Sequence, residues 1–407
     1  MKNPSPLHRI HLSSAVVIAG ALTAIVASAH SGGIATTLAA HFVQVGTVRS
    51  FESTPRVHQW TFEARRGPSP FDRIGLRRLH RGLKPPVKPA IVVLYLPGTN
   101  MNGEVAIDNA RYSLPLYMAA HGVDFWSFDY RTHFIPPDTP SARLGELRGW
   151  TDAVFESDID AAVRFIIATT GRRRIFLSGF SRGVSFAYLY AAQHPQNVEG
   201  LLLFDGWIPH RVAGTPPPGR IVDDIGGKHL TYQLRRALLE DVIRNPNGPA
   251  PLRKYRNAAD NLAHVLYDSA SFGGHGGLAN ALGGFSDPAV LARQLTIFDR
   301  YWPAVQDYEA PFTPARMKTL GSSRIPVMAF SSTNISPQWP KQVARSAHAT
   351  GSSDVRVISL RGWGHLDVIC GSYAERAVFA PALAWLKRRR KLADNPDWPG
   401  PDWRRVA

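Results

Sequence analysis

The chain has 407 residues, 44% of them hydrophobic and 19% charged, and its 47 Lys and Arg against 31 Asp and Glu leave a formal charge of +16. That apolar content excludes a disordered tail protein, because it can bury enough surface to offset the ordering entropy, and the length allows one large domain or two ordinary ones. The single cysteine, Cys370, excludes an internal disulfide and a cysteine-based zinc site, and the basic residues lie in short scattered runs without the interleaved aromatics that single-stranded nucleic acid requires.

At the N-terminus Lys2 and Arg9 precede an apolar stretch from Leu12 to Val26 that closes on Ala27-Ser28-Ala29. A charged region, an apolar region and a small-x-small site in that order predict an export signal over residues 1–29, cut after Ala29. The mature protein is then expected in the periplasm or secreted. An uncleaved membrane anchor is the alternative, although the apolar stretch is shorter than the roughly 20 residues a span needs. Residues 30–55 read as a polar, weakly patterned lead-in.

Strand and helix patterns alternate from there. His58 to Glu63 alternates in character and predicts an antiparallel strand. Ala90 to Leu96 is continuously apolar and β-branched, the pattern of a strand buried on both faces of a parallel sheet. Asp124 to Phe128, Arg174 to Leu177, Gly200 to Phe204 and Pro326 to Phe330 resemble it, and Val355 to Leu360 alternates in part. Helices are predicted over Tyr112 to His121, Asp152 to Thr169, Ser181 to His194 and Ala374 to Lys391, the second from apolar residues at three- and four-residue spacing. The alternation predicts an α/β fold, a mostly parallel central sheet with helices on both faces.

Between Pro209 and Ser323 the alternation breaks. The stretch opens with Pro216 to Gly219, carries helical patterns at His229 to Arg244 and Ser286 to Tyr301, and includes a glycine-rich piece, Phe272 to Leu278. It is too long for an ordinary connection and reads as an inserted helical lid, with Ser286 as a helix cap and Pro288 in the first turn. The core is thus expected in two parts, 56–208 and 324–391, around an insertion at 209–323, with a tail at 392–407.

Gly179-Phe180-Ser181-Arg182-Gly183 lies where a predicted strand passes into a predicted helix. G-x-S-x-G in that context predicts a sharp turn that presents Ser181 as a nucleophile at a helix N-terminus. With this motif the chain resembles the α/β-hydrolase family over roughly residues 55 to 390. The family's oxyanion loop matches Pro97-Gly98-Thr99-Asn100, with Pro97 in place of the usual His before Gly. The resemblance implies that backbone N–H groups of Thr99, or Asn100, and Arg182 hold the oxyanion.

It also implies a general base after the last strand, and His365 in Gly362-Trp363-Gly364-His365-Leu366-Asp367 stands there. The acid departs from the common pattern, because the residues after Phe330 are Ser331-Ser332-Thr333-Asn334-Ile335, without a carboxylate. A variant of the family takes its acid from the end of the preceding strand, which is Asp205 here. Asp205 is favoured over Asn334 and Asp367, since a carboxylate fixes the His tautomer and stabilises the imidazolium better than an amide does.

Blander roles are expected elsewhere. Asp129 and Arg131 look like the family's structural turn, pairing with backbone or each other. The Arg182 side chain reads as structural, Cys370 as a small buried hydrophobe, and Glu104 and Asp108 as solvated surface near the pocket mouth.

The resemblance implies hydrolysis of carboxylic esters through an acyl-serine, and the lid's Phe272, Phe285, Phe298, Tyr301 and Trp302 imply an apolar acyl or alcohol part. Lactone, amide or carbon–carbon bond hydrolysis on the same scaffold, and a non-catalytic binding protein, are the alternatives. Ser181 stands against the dehalogenase and epoxide-hydrolase chemistries, for which the family uses Asp at the elbow. No metal or nucleotide motif occurs, so no cofactor is expected. The expected partners are a small-molecule or lipid-like ester and, through the positive charge, anionic envelope surfaces, with no nucleic acid.

Overall fold

Where the sequence runs continuously apolar, the chain forms the middle of a sheet. A computed structural model describes residues 41–208, 221–223, 232–267, 285–303 and 312–393. Its strands are β1 (Val43–Ser50), β2 (Val57–Arg65), β3 (Arg73–Arg81), β4 (Val92–Leu96), β5 (Asp124–Asp129), β6 (Ile175–Phe180), β7 (Val198–Phe204), β8 (Ile221–Asp223), β9 (Tyr301–Pro303), β10 (Val327–Ser332) and β11 (Val355–Leu360). Nine of them form one sheet in the order β1-β2-β3-β5-β4-β6-β7-β10-β11, and β8 pairs with β9. The strands β1 to β3 and the β3–β5 pair are antiparallel, and from β5 through β4 to β11 every pair is parallel.

The two-residue period of a strand divides the core. Val93 and Tyr95 enter one buried cluster, while Val92, Leu94 and Leu96 enter the other. Helix α1 (Leu114–Ala120) and the C-terminal helix, Ala380–Ala393, cover the first face, the latter through Leu383, Trp385 and Leu386. The second face is covered by α2 (Asp152–Thr170) and α3 (Arg182–Gln193). On α2 the residues Phe155, Ile159, Ala162, Val163 and Ile166 are fully buried, and each of the larger ones contributes roughly 1.5 to 3 kcal/mol by leaving water.

Several elements differ from the sequence pattern, each for a local reason. The lead-in contains β1, an edge strand exposed along nearly its whole length, so its sequence never had to alternate. Strand β3 was hidden by its arginines. Arg78 lies in the sheet because Asp124 accepts two of its hydrogen bonds at 2.8 Å and the Trp126 ring lies 4.9 Å below its guanidinium. A polar amphipathic helix, Trp339–His348, starts with Pro340 in its first turn and buries only Val343, Ser346 and Ala347.

The insertion is not purely helical among its described residues, since it contributes β8 and β9. Its helices α4 (Tyr232–Arg244), α5 (Ala258–Tyr267), α6 (Pro288–Leu295) and α7 (Pro314–Ser322) are short. Helix α6 is capped by Asp287, whose carboxylate accepts the Ala289 and Val290 N–H groups, and not by Ser286. It stops well before Tyr301, which begins β9. The C-terminal helix opens with a π-type turn at Glu375–Phe379. With those two helices numbered in chain order, Trp339–His348 is α8 and Ala380–Ala393 is α9. The expected export signal, Pro216 to Gly219, Phe272 with the glycine-rich piece, and the tail beyond 393 lie outside the described residues.

From β4 the chain moves to β5 on one side and then to β6 and β7 on the other. A crevice therefore opens at the C-terminal ends of β4 and β6, where open α/β sheets bind ligands.

Candidate active site

Strand β6 ends at Phe180 and α3 begins at Arg182, so Ser181 alone makes the corner. It does so at φ 53°, ψ −119°, a left-handed conformation that costs a residue with a Cβ about 1 to 3 kcal/mol and persists only where the surroundings enforce it. They do so here. A Cβ at Gly183 would fall on the Leu96 carbonyl, and one at Gly179 on the Gly183 backbone, so both flanks accept only glycine. The Ser181 N–H donates to Phe204 O of β7 at 3.0 Å. The half-buried Ser181 thus sits in the crevice at the N-terminus of α3, an end that favours negative charge. The Arg182 side chain turns away, with Nη2 2.6 Å from Asp152 Oδ1 and its guanidinium 4.4 Å over the Phe186 ring.

His365 follows β11 in a loop that brings its imidazole beside the corner, with its ring centroid 4.6 Å from that of Phe180 and the Trp339 ring edge-on at 6.0 Å. Its Nδ1 donates to Asp205 Oδ2 at 2.6 Å. That hydrogen bond leaves Nε2 as the acceptor, the tautomer a general base requires. Asp205 follows β7, is fully buried and sits at φ 52°. Three further donors hold its carboxylate: Ser332 N–H at 2.6 Å and Trp339 Nε1–H at 2.9 Å on Oδ1, and Ser332 Oγ–H at 2.7 Å on Oδ2.

The other two acid candidates have different partners. Asn334 donates from Nδ2 to Gly362 O at 2.8 Å and from its backbone to Trp363 O at 3.1 Å, so it braces the loop that carries His365. Asp367 accepts the Gly364 N–H at 2.7 Å and the Ser286 hydroxyl of the insertion.

The loop after β4 forms a turn closed by Met101 N–H to Gly98 O at 3.1 Å, with Asn100 third in the turn at φ 47°. Positive φ at that place is what a type II turn demands, and Asn tolerates it better than most residues. Gly98 touches the corner, since a Cβ there would come within 3.2 Å of the Ser181 Cβ. Thr99 is half-buried and Asn100 buried. A segment of the insertion pairs with this loop through a bridge between Met101 and Phe298.

Among solved structures, a candidate lipase from Sulfolobus solfataricus matches at 25% identity over 86% of this chain and 99% of that one, with a TM-score of 0.67. The chain has the α/β-hydrolase fold. Looser matches include a thermophilic esterase from Thermogutta terrifontis, at 15% identity over 86% of this chain and 99% of that one with a TM-score of 0.43. A haloalkane dehalogenase loop variant from Bradyrhizobium elkanii matches at 15% identity over 79% and 96%, with a TM-score of 0.42. No protein-family model and no curated protein matches the sequence.

Within this α/β-hydrolase fold the remaining sequence candidates have partners of their own. Asp129 and Arg131 do not pair with each other. Asp129 accepts Arg77 Nε at 2.9 Å and the Gly103 N–H at 2.7 Å, and so ties the loop after β4 to β3. Arg131 forms a buried fork onto Asp158 at 2.6 and 3.0 Å and also pairs with Asp72. Glu104 pairs with Arg77 at 3.2 Å, and Asp108 accepts the Glu52 N–H at 2.9 Å and the Ser53 hydroxyl at 2.8 Å. Cys370 is fully buried, which pushes its thiol pKa up. Phe285 stacks on Trp363 at 5.1 Å, while Phe298, Tyr301 and Trp302 are buried. Ser332, Trp339 and Asp299 carried no signal in the sequence, because their partners are far away along the chain.

Burial pushes the Asp367 carboxyl up to about 6, with the charge of Asp205 adding to the shift and the Ser286 and Gly364 hydrogen bonds opposing it. A folded-state value above the unfolded one favours folding fully below the unfolded value, and that advantage is lost as pH rises through about 6. Asp367→Asn can satisfy both neighbours without ionising. Relative to this variant, the native chain is expected to lose about 2 kcal/mol of stability between pH 4.5 and 7.5. Denaturant titrations of both proteins at the two pH values measure it, and a difference that does not change with pH contradicts it.

Proposed function

We propose that the chain is an exported serine hydrolase that cleaves carboxylic esters with an apolar acyl or alcohol part. The observation that carries this reading is the 2.6 Å hydrogen bond from His365 Nδ1 to Asp205, beside a strained corner that presents Ser181. In the proposed sequence His365 Nε2 takes the Ser181 proton as Oγ attacks the ester carbonyl. The oxyanion meets the N–H groups of Thr99 or Asn100 and of Arg182, and one such donor is typically worth roughly 3 to 4 kcal/mol. The imidazolium then protonates the departing alcohol, and water, activated by the same His, releases the acid. The likeness to the Sulfolobus candidate lipase supports an ester over other bonds. Packing of the half-buried Phe285 on Trp363 and of the buried Phe298 beside Met101, against the two loops of the site, supports an apolar substrate wall. A fluorophosphonate probe tests the reading, because only an activated serine reacts with it, and a p-nitrophenyl ester series from acetate to palmitate then ranks the acyl chain.

Export rests on the N-terminal pattern from Lys2 to Ala29. We place contact with an anionic bilayer at the end of the sheet opposite Ser181. There the loop between β3 and β4 exposes Leu83 (70%) and Val87 (87%) beside Lys84 and Lys88, and Val87 adjoins the turn that carries Arg173. Apolar tips among cations suit a lipid surface, and the attraction is screened within about 8 Å at physiological salt. The purified protein is expected to start at His30 by mass, and to sediment with phosphatidylglycerol vesicles at low salt but not above about 0.5 M salt. Equal binding to neutral vesicles counts against the electrostatic contact.

A further inference from the structure

We infer that Asp299, a residue of the insertion, is a positioning residue for the oxyanion loop; the inference rests on the serine-hydrolase reading above. A left-handed, buried, non-glycine residue such as Asn100 keeps its conformation only if its surroundings over-determine it. Asp299 supplies two bonds of that constraint directly and braces the turn beside it. Its N–H donates to Asn100 O at 2.6 Å, and its carbonyl accepts Asn100 Nδ2 at 3.0 Å. Its carboxylate accepts Asn102 Nδ2 at 2.9 Å, on the far side of the turn. The Asn102 N–H donates to Ile297 O at 3.3 Å, which extends the pairing by one more bond.

The same carboxylate is fastened to the core by Thr132 Oγ1 at 3.1 Å and His133 Nδ1 at 3.4 Å, and His133 Nε2 in turn lies 3.0 Å from Arg77 Nη2. Asp299 therefore joins three pieces of chain, the loops after β4 and β5 and the insertion, at the edge of the crevice. Peptide planarity carries the effect inward. With the Gly98 carbonyl turned to the Met101 N–H, the Thr99 N–H on the opposite edge of the same peptide unit is aimed out of the turn. Misplacing such a donor by about an ångström can cost a hundredfold in rate. The insertion is thus more than a cover: one of its residues completes the geometry of the loop that receives negative charge.

The test uses full-length protein, wild type beside D299A, D299N and N102A, with kcat and KM for p-nitrophenyl butyrate corrected for the titrated serine. Asn at 299 can keep an oxygen on Asn102 and turn its amide toward the Thr132 hydroxyl, so it serves as the rescue. D299A is expected to lose about a hundredfold in kcat with KM within about threefold, while D299N stays within about fivefold of wild type. Fluorophosphonate labelling of D299A is expected to be slow but to reach the wild-type extent, because the serine itself is intact. N102A is expected to lose about tenfold, and D299A/N102A no more than D299A alone. An unreactive wild type overturns the serine-hydrolase reading. A reactive wild type with D299A and N102A both within threefold of it overturns this inference alone. Should D299A fail to fold, N102A decides: a tenfold loss in kcat supports the inference and an unchanged kcat overturns it.

Discussion

Ser181→Ala is expected to give a folded chain that hydrolyses p-nitrophenyl butyrate about 10⁴- to 10⁶-fold more slowly and takes up no fluorophosphonate. The fold is expected to survive because the strain at this corner belongs to the backbone and the Cβ, both of which alanine retains. The Phe204 carbonyl still receives the residue's N–H, and the two glycines still admit the neighbouring backbone. Only Oγ is lost, and with it the atom that would form the acyl bond. Residual turnover is not expected to reach zero, since an oxyanion site and a bound substrate can still assist attack by water. The measurement is active-site-corrected kcat/KM beside the melting temperature. A variant that melts as wild type does and keeps its turnover removes Ser181 from the chemistry. Gly183→Ala is the contrasting control, because its Cβ meets the Leu96 carbonyl and folding itself is expected to fail.

How much of this was legible in the sequence follows from how local each feature is. The parallel strands could be read because burial on both faces leaves an unbroken apolar run, as in Val92 to Leu96. Strand β3 could not, because Arg78 became acceptable inside the sheet only through Asp124, 46 residues away. The corner at Ser181 is a five-residue pattern between a strand and a helix, and its glycines are needed for contacts within a few residues and against β4. The partner of His365 is a different kind of fact. Asp205 lies 160 residues earlier, and the parallel register of β7, β10 and β11 brings the two together. Asn334 stands where the family's common acid would be, yet its amide is engaged by Gly362. The pairing of Asn100 and Asn102 with Asp299 spans nearly 200 residues and had no trace in either segment alone.

Asp205→Asn is expected to lower kcat by about 10³- to 10⁴-fold with little change in fold, and the reason lies in how the carboxylate is held. Oδ1 accepts two backbone or indole N–H groups, Ser332 N–H and Trp339 Nε1–H, neither of which can reverse its polarity. An asparagine must therefore put its oxygen there and its amide nitrogen at the place of Oδ2, facing His365 Nδ1 and the Ser332 hydroxyl. The hydroxyl can rotate to accept, whereas the imidazole can accept on Nδ1 only by moving its proton to Nε2. That tautomer cannot take a proton from Ser181. Asp205→Ala is the poorer experiment, because it leaves the Ser332 and Trp339 N–H groups buried without an acceptor, at about 1 to 3 kcal/mol each. Asn334→Ala and Asp367→Asn are expected to stay within about tenfold of wild type, since neither side chain bonds to the imidazole. If Asp205→Asn kept near-full turnover while either of those fell a thousandfold, the acid would have to be reassigned to that residue, and the 2.6 Å bond to His365 would be structural only.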